Sequence, residues 1–434
     1  MNILIINQDW FAEPLRAQGH TVLTCSVLKG HDVQITRVLP HINELLADEC
    51  NGFTPDAVVV LDNSSPLPVV GIEELEIPTL FYSVDAQHHA EFHKYLTRMF
   101  DVTFCAQKDY IPELASQGRD VRWLPLWAPR YVEASDEKRY ESCFIGNMNR
   151  ELNSDRVDFF EALKEKVPIH LDVGKYWEYF PHSKIVVNQT VKGDLNFRVF
   201  EAMMCGAALL TEKSGNGLFD LFKDGKHLIT YERSSVDDAS TKINDLLAEP
   251  EKLNQVAKSG REEILRAHTE QSRAEQILKC LNELNSRPRL DLSSKGHFGS
   301  IVNLHQVIVR NFRSQPEITK RAFSLALQKL ECALNLREAL DEEMACHIIS
   351  VCISFTDLLK ADVGYKLLQN YADSYPDLGI LQLACIRESL RGNDEATAKA
   401  IAKKHFPTNP EAELFPAAET LVSSLVSWMH NSAV

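Results

Sequence analysis

The sequence predicts two doubly wound α/β sheets followed by an all-α region. Three observations carry this. Short, wholly apolar runs alternate with helical stretches in the first part of the chain, the pattern of a parallel sheet with helices on both faces. A second set of the same kind begins at Tyr140, beyond Pro125 to Ala134, a segment with two prolines and two aromatics that reads as an interdomain linker. From Ile301 onward strand signals vanish, and amphipathic Leu/Ala-rich helices take over. At 434 residues the chain is too long for one core. The expected domains are 1–130, 131–288 and 289–434.

Composition narrows the function classes. A net charge of -15 argues against a general nucleic-acid or anionic-membrane surface. The ten cysteines form no C-x-x-C pair and no regular spacing, so neither a zinc site nor a disulfide framework is expected. No apolar run reaches the roughly 18 residues that span a bilayer. The N-terminus enters a strand directly, without the pattern of a signal peptide. The expected location is the cytoplasm.

Ile3 to Ile6 is the first buried strand, and no G-x-G-x-x-G follows it, so this half does not look like a dinucleotide site. Further strands are expected at Thr21–Cys25, Ala57–Leu61, Thr79–Ser83, Val102–Cys105 and Val121–Leu124, with helices at His41–Ala47 and Ala90–Phe100. After the fourth of these strands comes Tyr82-Ser83-Val84-Asp85-Ala86-Gln87-His88-His89. Asp85 and His88 are close enough in sequence for the carboxylate to orient the imidazole, which would then remove a proton from a hydroxyl. Asp85 would equally serve as a helix N-cap beside solvent-facing histidines. His88, His89 and His93 suggest a metal only weakly, because no further carboxylate or cysteine completes a ligand set.

In the second half, Glu141–Gly146 is a strand ending in glycine, followed by a turn at Asn147–Arg150 and a helix from about Asp155 to Lys166. A strand is expected at Ile169–Val173. The aromatic run Tyr176 to Phe180 would stack on a base or fill a core. Ile185–Val187, a polar loop with Lys192, Gly193 and Asp194, a helix carrying Phe197, Phe200 and Met203/Met204 on one stripe, and Ala207–Thr211 make one parallel crossover unit. Gly206 stops that helix, and Asp194 or Asn196 can cap it. Arg198 and Glu201 share a face near the helix start, where free N–H groups suit a phosphate. Arg198 offers a fork of donors, and Glu201 can accept two bonds from a diol. The same pair would also make an ordinary internal salt bridge. Helices are expected at Val236–Ala248, Pro250–His268 and Glu270–Leu284, with a linker at Asn285–Arg289.

RVFEAMMCGAALLTE, followed by GLFDLFKDGKHLITY, resembles the nucleotide-sugar-binding segment of GT-B glycosyltransferases, nearest to the CgeB-like, spore-maturation-type group. FDVTFCAQKDYIPEL resembles the N-terminal half of the same family. The resemblance implies two Rossmann-like domains facing a cleft. It implies ribose binding by Glu201, and donor-phosphate contacts near Gly217 and Leu218, with Asn216 beside them. It places the pyrophosphate or the acceptor-side cleft at the Gly146 turn, with Asn147, Asn149, Arg150 and Arg156 as candidates. Many retaining members carry a second Glu eight positions before Glu201; here that position is Gly193, so the stereochemical outcome stays open.

The expected function is therefore transfer of a hexose-like sugar from a nucleotide-diphosphate sugar to an acceptor hydroxyl, without a metal or other cofactor. The catalytic candidates are Asp85 and His88. The donor candidates are Gly146, Asn147, Arg198, Glu201, Asn216, Gly217 and Leu218. A nucleotide-sugar epimerase of the same fold and a non-catalytic scaffold are the alternatives. In the C-terminal region, Asn370–Pro376 and Ile401–Pro407 both end a helix in aromatic-Pro, resembling a degenerate tetratricopeptide-like array. Its groove is expected to hold a polypeptide acceptor, as in protein glycosylation, or a second subunit; its other reading is a domain that only stabilises the enzyme.

Overall fold

Among the described residues, twelve strands form two parallel sheets. The computed structural model describes residues 1–286, 296–311, 314–359, 362–409 and 411–431. In the first sheet, β1 (Asn2–Ile6), β2 (Thr21–Ser26) and β3 (Val33–Gln34) run outward from the centre. The chain then returns to the other side of β1 with β4 (Ala57–Leu61), β5 (Thr79–Ser83), β6 (Val102–Cys105) and β7 (Val121–Trp123). Every pairing is parallel. The second sheet has β8 (Tyr140–Ile145) at the turning point, β9 (Ile169–Asp172) on one side, and β10 (Ser183–Asn188), β11 (Ala208–Glu212) and β12 (Ile229–Tyr231) on the other. All-apolar central strands such as β4 are buried on both faces, which suits strands covered by helices on each side. The expected strands are present; β3 and β12 are additional, both too short to leave a period in the sequence.

The two sheets meet along a continuous core. Ile3, Val59 and Trp127 belong to the same buried cluster as Val186, Phe200 and Met203. Of the expected linker at 125–134, the first four residues are part of this core, while Arg130, Tyr131, Glu133 and Ala134 are exposed. Leu126, Trp127 and Ala128 are buried, and the Arg273 guanidinium donates to the carbonyls of Pro125 (2.6 Å) and Leu126 (3.0 Å). An aromatic as large as Trp127 gains more from burial than an open linker offers. The helix Glu270–Ser286 also returns to the first sheet, where Glu270 accepts from the Phe11 N–H and Glu283 pairs with Arg122. The remainder of the expected 285–289 linker, and the expected boundary after residue 288, lie outside the described residues.

The C-terminal region is all helix: His297–Asn311, Pro316–Leu336, Glu342–Leu359, Val363–Ser374, Gly379–Arg391, Glu395–His405 and Glu411–Asn431. The two helices ending before aromatic-Pro stop at Ser374 and His405, as their prolines require. This region docks on the first domain through a shared core containing Leu39, Val70 and Tyr95. Asn303, fully buried, bonds both the N–H (2.7 Å) and the carbonyl (3.2 Å) of Leu67. Lys329 pairs with Glu73 (2.5 Å) and with Glu74. No helix among the described residues is long and apolar enough to cross a membrane.

Candidate donor and acceptor site

Besides the helix Glu270–Ser286, segments that follow the carboxyl ends of strands join the two sheets. Trp10, after β1, packs edge-on to Trp127 and Phe197 at 5.3 and 5.9 Å between ring centres. Gln107, after β6, accepts from the Leu195 N–H (2.9 Å) and donates to its carbonyl (3.4 Å). The carboxyl edges of both sheets thus face each other, and each sheet has its order reversal at that edge, between β1 and β4 and between β8 and β10. In open α/β sheets this is where ligands bind.

On the second sheet the reversal is occupied by Arg198. The helix Phe197–Met204 starts at the end of the loop after β10, so its first turn projects over the edge. Arg198 donates through Nη1 to Asn188 Oδ1 (2.9 Å), and through Nη2 (3.0 Å) and Nε (3.3 Å) to the Ile145 carbonyl. One N–H on each terminal nitrogen is left over. Its guanidinium lies 4.3 Å from the centre of the Phe144 ring, and that of Arg156 lies 5.6 Å away. Arg156 donates to the Gln189 side chain at 2.9 Å. Burial, reinforced by Arg156, lowers the Arg198 guanidinium to about 10, which leaves it charged at neutral pH. Gly146 is glycine for a local reason. A Cβ there would lie 2.5 Å from Arg198 Nη2 and 2.9 Å from the Phe144 ring, so only glycine admits the arginine.

Glu201 does not pair with Arg198, so the internal salt bridge is not made. Arg198 is turned toward Ile145 and Asn188, and no hydrogen bond or ion pair reaches the Glu201 carboxylate among the described residues. Burial raises its pKa to about 7, with Arg198 pulling in the opposite direction. Tyr176, on the short helix after β9, is close enough for Glu201 to push its hydroxyl pKa further up. Beside it, Trp177 lies under the Arg130 guanidinium at 4.2 Å.

The remaining donor candidates fall into two groups. Asn147 is exposed and closes a turn by accepting from the Asn149 N–H (2.8 Å); Arg150 is spent on Asp158 and on Glu161 (2.8 Å). Asn216, Gly217 and Leu218 sit on the seam with the first domain. Asn216 donates from its backbone to Asp109 (2.8 Å) and from its side chain to the Gly193 carbonyl (2.8 Å). Gly217 adopts a φ of 86°, and a Cβ there would lie 2.2 Å from the Trp123 ring. Leu218 is 1% exposed, in the core. Their arrangement is that of a clasp between domains. Asp194 likewise turns inward, accepting from the Val191 N–H at 2.7 Å, and does not cap the helix.

On the first sheet, Asp85 and His88 are neighbours without a mutual hydrogen bond. The Asp85 carboxylate accepts from Ser64 Oγ (2.8 Å) and Gln87 (3.3 Å), while His88 is exposed. The expected orientation of His88 by Asp85 is therefore not made, because the helix begins at Ala86 and carries His88 to its outer face. The carboxylate that organises this edge is Asp62, which only the fold reveals. It accepts from the N–H groups of Ser64 (2.7 Å), Val84 and Asp85 (3.1 Å each), and lies 3.7 Å from the buried His93. His93 itself bonds Ser83 at 2.8 Å. Across the seam, Lys192 reaches the Gln87 carbonyl at 3.4 Å and helps lower the His88 pKa, after burial.

Among the described residues, one group of carboxylates and imidazole is close enough to hold a metal ion: Glu73, Glu74 and His297, with ligand atoms within 4.8 Å of one another. The Lys329 ammonium already lies on both carboxylates, so the residues form an ion-pair cluster between the helical region and the first domain.

Residues 143–279 match the model of the family described as Glycosyl transferase-like. No curated protein matches the chain. Among solved structures it is similar to a sucrose-phosphate synthase from Thermosynechococcus elongatus (11% identity, 66% of this chain and 99% of that one, TM-score 0.50). It is also similar to Anabaena Alr3699/HepE in complex with UDP and glucose (11% identity, 65% of this chain and 100% of that one, TM-score 0.49). The match to a glycosyltransferase from Rickettsia africae has 11% identity over 66% of this chain and 99% of that one, with a TM-score of 0.48. The chain has the GT-B fold, and within it residues 143–279 are similar to the glycosyl transferase-like family.

Proposed function

We propose that the protein transfers a sugar from a nucleoside-diphosphate sugar to an acceptor hydroxyl. The observation that carries this reading is the unpaired Glu201 carboxylate. It lies one turn from a fixed Arg198 whose spare N–H groups lie at the reversal point of the second sheet. Glu201 accepts from the ribose diol. Arg198, with Arg156 and the N–H groups of the first helical turn, holds the diphosphate. As the bond from sugar C1 to the phosphate oxygen breaks, these cations take up the charge of the leaving diphosphate, the role a metal ion would otherwise fill. The new bond forms between C1 and the acceptor oxygen. The acceptor proton passes to His88, whose lowered pKa keeps it neutral at pH 7, or to Asp85. A polypeptide acceptor would approach from the helical region, which borders this wall where Arg310 bonds the Ser64 carbonyl at 3.0 Å.

The test is calorimetry with a panel of nucleoside diphosphates and their sugars, followed by turnover with and without candidate acceptors. Glu201→Ala should weaken donor binding, and His88→Ala and Asp85→Asn should each lower turnover without affecting it. Absence of binding across the panel refutes the reading in favour of a scaffold. Conversion of a donor into an epimer without acceptor would assign an epimerase instead.

A further inference from the structure

A cavity of about 500 Å3 runs along the seam beside the loop after β10. Its charged lining comprises Lys192, Lys213 and Arg233 from the second domain, and Asp109 and Glu113 from the first. These charges are not equivalent. Asp109 is tied to the Asn216 backbone (2.8 Å), and Lys213 is paired with Glu232. Glu113 has its pKa raised, first by burial and then by Glu91. Among the described residues Lys192 makes one hydrogen bond, to the Gln87 carbonyl at 3.4 Å. Arg233 has no hydrogen bond or ion pair among the described residues. Lys192 and Arg233 are thus the cations of this lining with donors to spare, set across the cavity from Asp109 and Glu113.

The walls that hold these cations are built from buried polar bonds. Glu212 is 0% exposed. One of its oxygens accepts from the Thr190 N–H (3.0 Å) and hydroxyl (2.6 Å), and the other from the Ser234 N–H (3.0 Å). A buried carboxylate is costly unless its acceptors are satisfied. Here they are spent on tying the loop after β10 to the turn after β12. That tie brings Arg233 to Gly193, where a Cβ would start 3.7 Å from its Nη1, so the absence of a side chain at 193 leaves the guanidinium open. Asn216, bonded to both Asp109 and the Gly193 carbonyl, fixes the opposite wall.

We propose that this cavity is a subsite for an anionic group, a carboxylate or a phosphate, on one of the two sugars at the transfer site, with Arg233 and Lys192 as its ligands. Arginine presents a planar fork to such groups, and Lys192 adds a point charge from the side facing His88. The inference rests on the transferase reading for its sugar, and the group belongs either to the donor's sugar or to the acceptor.

The experiment separates these sources. Full-length protein is titrated with UDP, UDP-glucose and UDP-glucuronate; the UDP-saturated protein is then titrated with glucuronate and with inorganic phosphate. A donor-side group gives UDP-glucuronate at least tenfold tighter than UDP-glucose. An acceptor-side group gives glucuronate or phosphate binding on top of UDP. In either case Arg233→Ala and Lys192→Ala should each reduce the anionic preference about tenfold, the scale of a lost charge-assisted bond, while UDP alone binds as before. Binding of UDP with no anionic preference in either arm overturns the subsite and leaves the transferase reading standing, as does a preference that survives Arg233→Ala. If another nucleoside diphosphate of the panel binds in place of UDP, it and its sugars take the same two arms; if none binds, the transferase reading falls and phosphate decides the subsite on the free protein. Phosphate binding lost in Arg233→Ala supports it, and no phosphate binding overturns it.

Discussion

Replacing Glu201 with glutamine separates the two demands on this residue. Burial raises its carboxyl from the ordinary 4.5 to about 7, which corresponds to roughly 3 kcal/mol of disfavoured charge in the ligand-free protein. The folded carboxyl therefore holds its proton more tightly than the unfolded one. The stability it contributes is fully present below about pH 4.5 and is lost as pH rises through about 7. At pH 8 the ligand-free Glu201→Gln protein should accordingly be more stable than wild type, by up to about 3 kcal/mol in a denaturant titration. Donor binding should move the other way. A ribose diol needs the ionised carboxylate, and replacing a charge-assisted bidentate contact by a neutral amide costs about 1.5–3 kcal/mol, or roughly 10- to 100-fold in affinity. Wild-type affinity for a nucleotide sugar should be flat above about pH 7 and fall about tenfold per unit below it, as the carboxyl protonates. A nucleotide sugar is the right probe because it lacks the terminal phosphate proton that titrates in the same range. Calorimetry from pH 5.5 to 8.5 would read both arms. Identical pH profiles for wild type and Glu201→Gln, or a variant less stable at pH 8, would refute the role given to this carboxylate.

Three further perturbations probe how the site is held. Gly146→Ala places a Cβ on Arg198 and Phe144 and should destabilise the protein by about 1–3 kcal/mol while weakening donor binding; unchanged affinity would separate Gly146 from the arginine's placement. Asn303→Ala leaves both backbone groups of Leu67 unpaired and buried, and should cost about 2–4 kcal/mol with faster amide exchange across residues 62–67, read by mass spectrometry. Lys329→Met strands the buried Glu73 carboxylate and should cost about 3–5 kcal/mol in chemical denaturation; a neutral outcome would mean that the cluster contributes nothing to docking of the helical region.

Local pattern was enough to locate most elements. Apolar runs such as Ala57–Leu61 and Ile185–Val187 announce buried strands because a parallel sheet covered on both faces admits little else. The i,i+3 spacing of Arg198 and Glu201 was visible as a shared face, and Arg198 stands at the sheet's reversal point with Glu201 one turn along the helix. Their separation into an arginine fixed by backbone and a carboxylate left free was not visible. It depends on Ile145 and Asn188, which lie 53 and 10 residues from Arg198. The first-domain wall was read only in part. Asp85 was legible as a polar residue after a strand, but its hydroxyl partner Ser64 is 21 residues away. Asp62, which carries no motif, binds the Ser64 N–H in a local turn and those of Val84 and Asp85 because β4 and β5 are paired in register.

By itself the sequence determined the two sheets, the all-helical end and the crossover unit with Arg198 and Glu201, since periodicity and breakers act within a dozen residues. Tertiary structure decided which charges are spent and which are free. Residues 125–128 of the expected linker became core, Asn216 to Leu218 became a clasp between domains, and Arg233 was brought to Gly193 by a buried Glu212. Each outcome depends on groups distant in sequence competing for the same hydrogen bonds, and only the folded packing settles that competition.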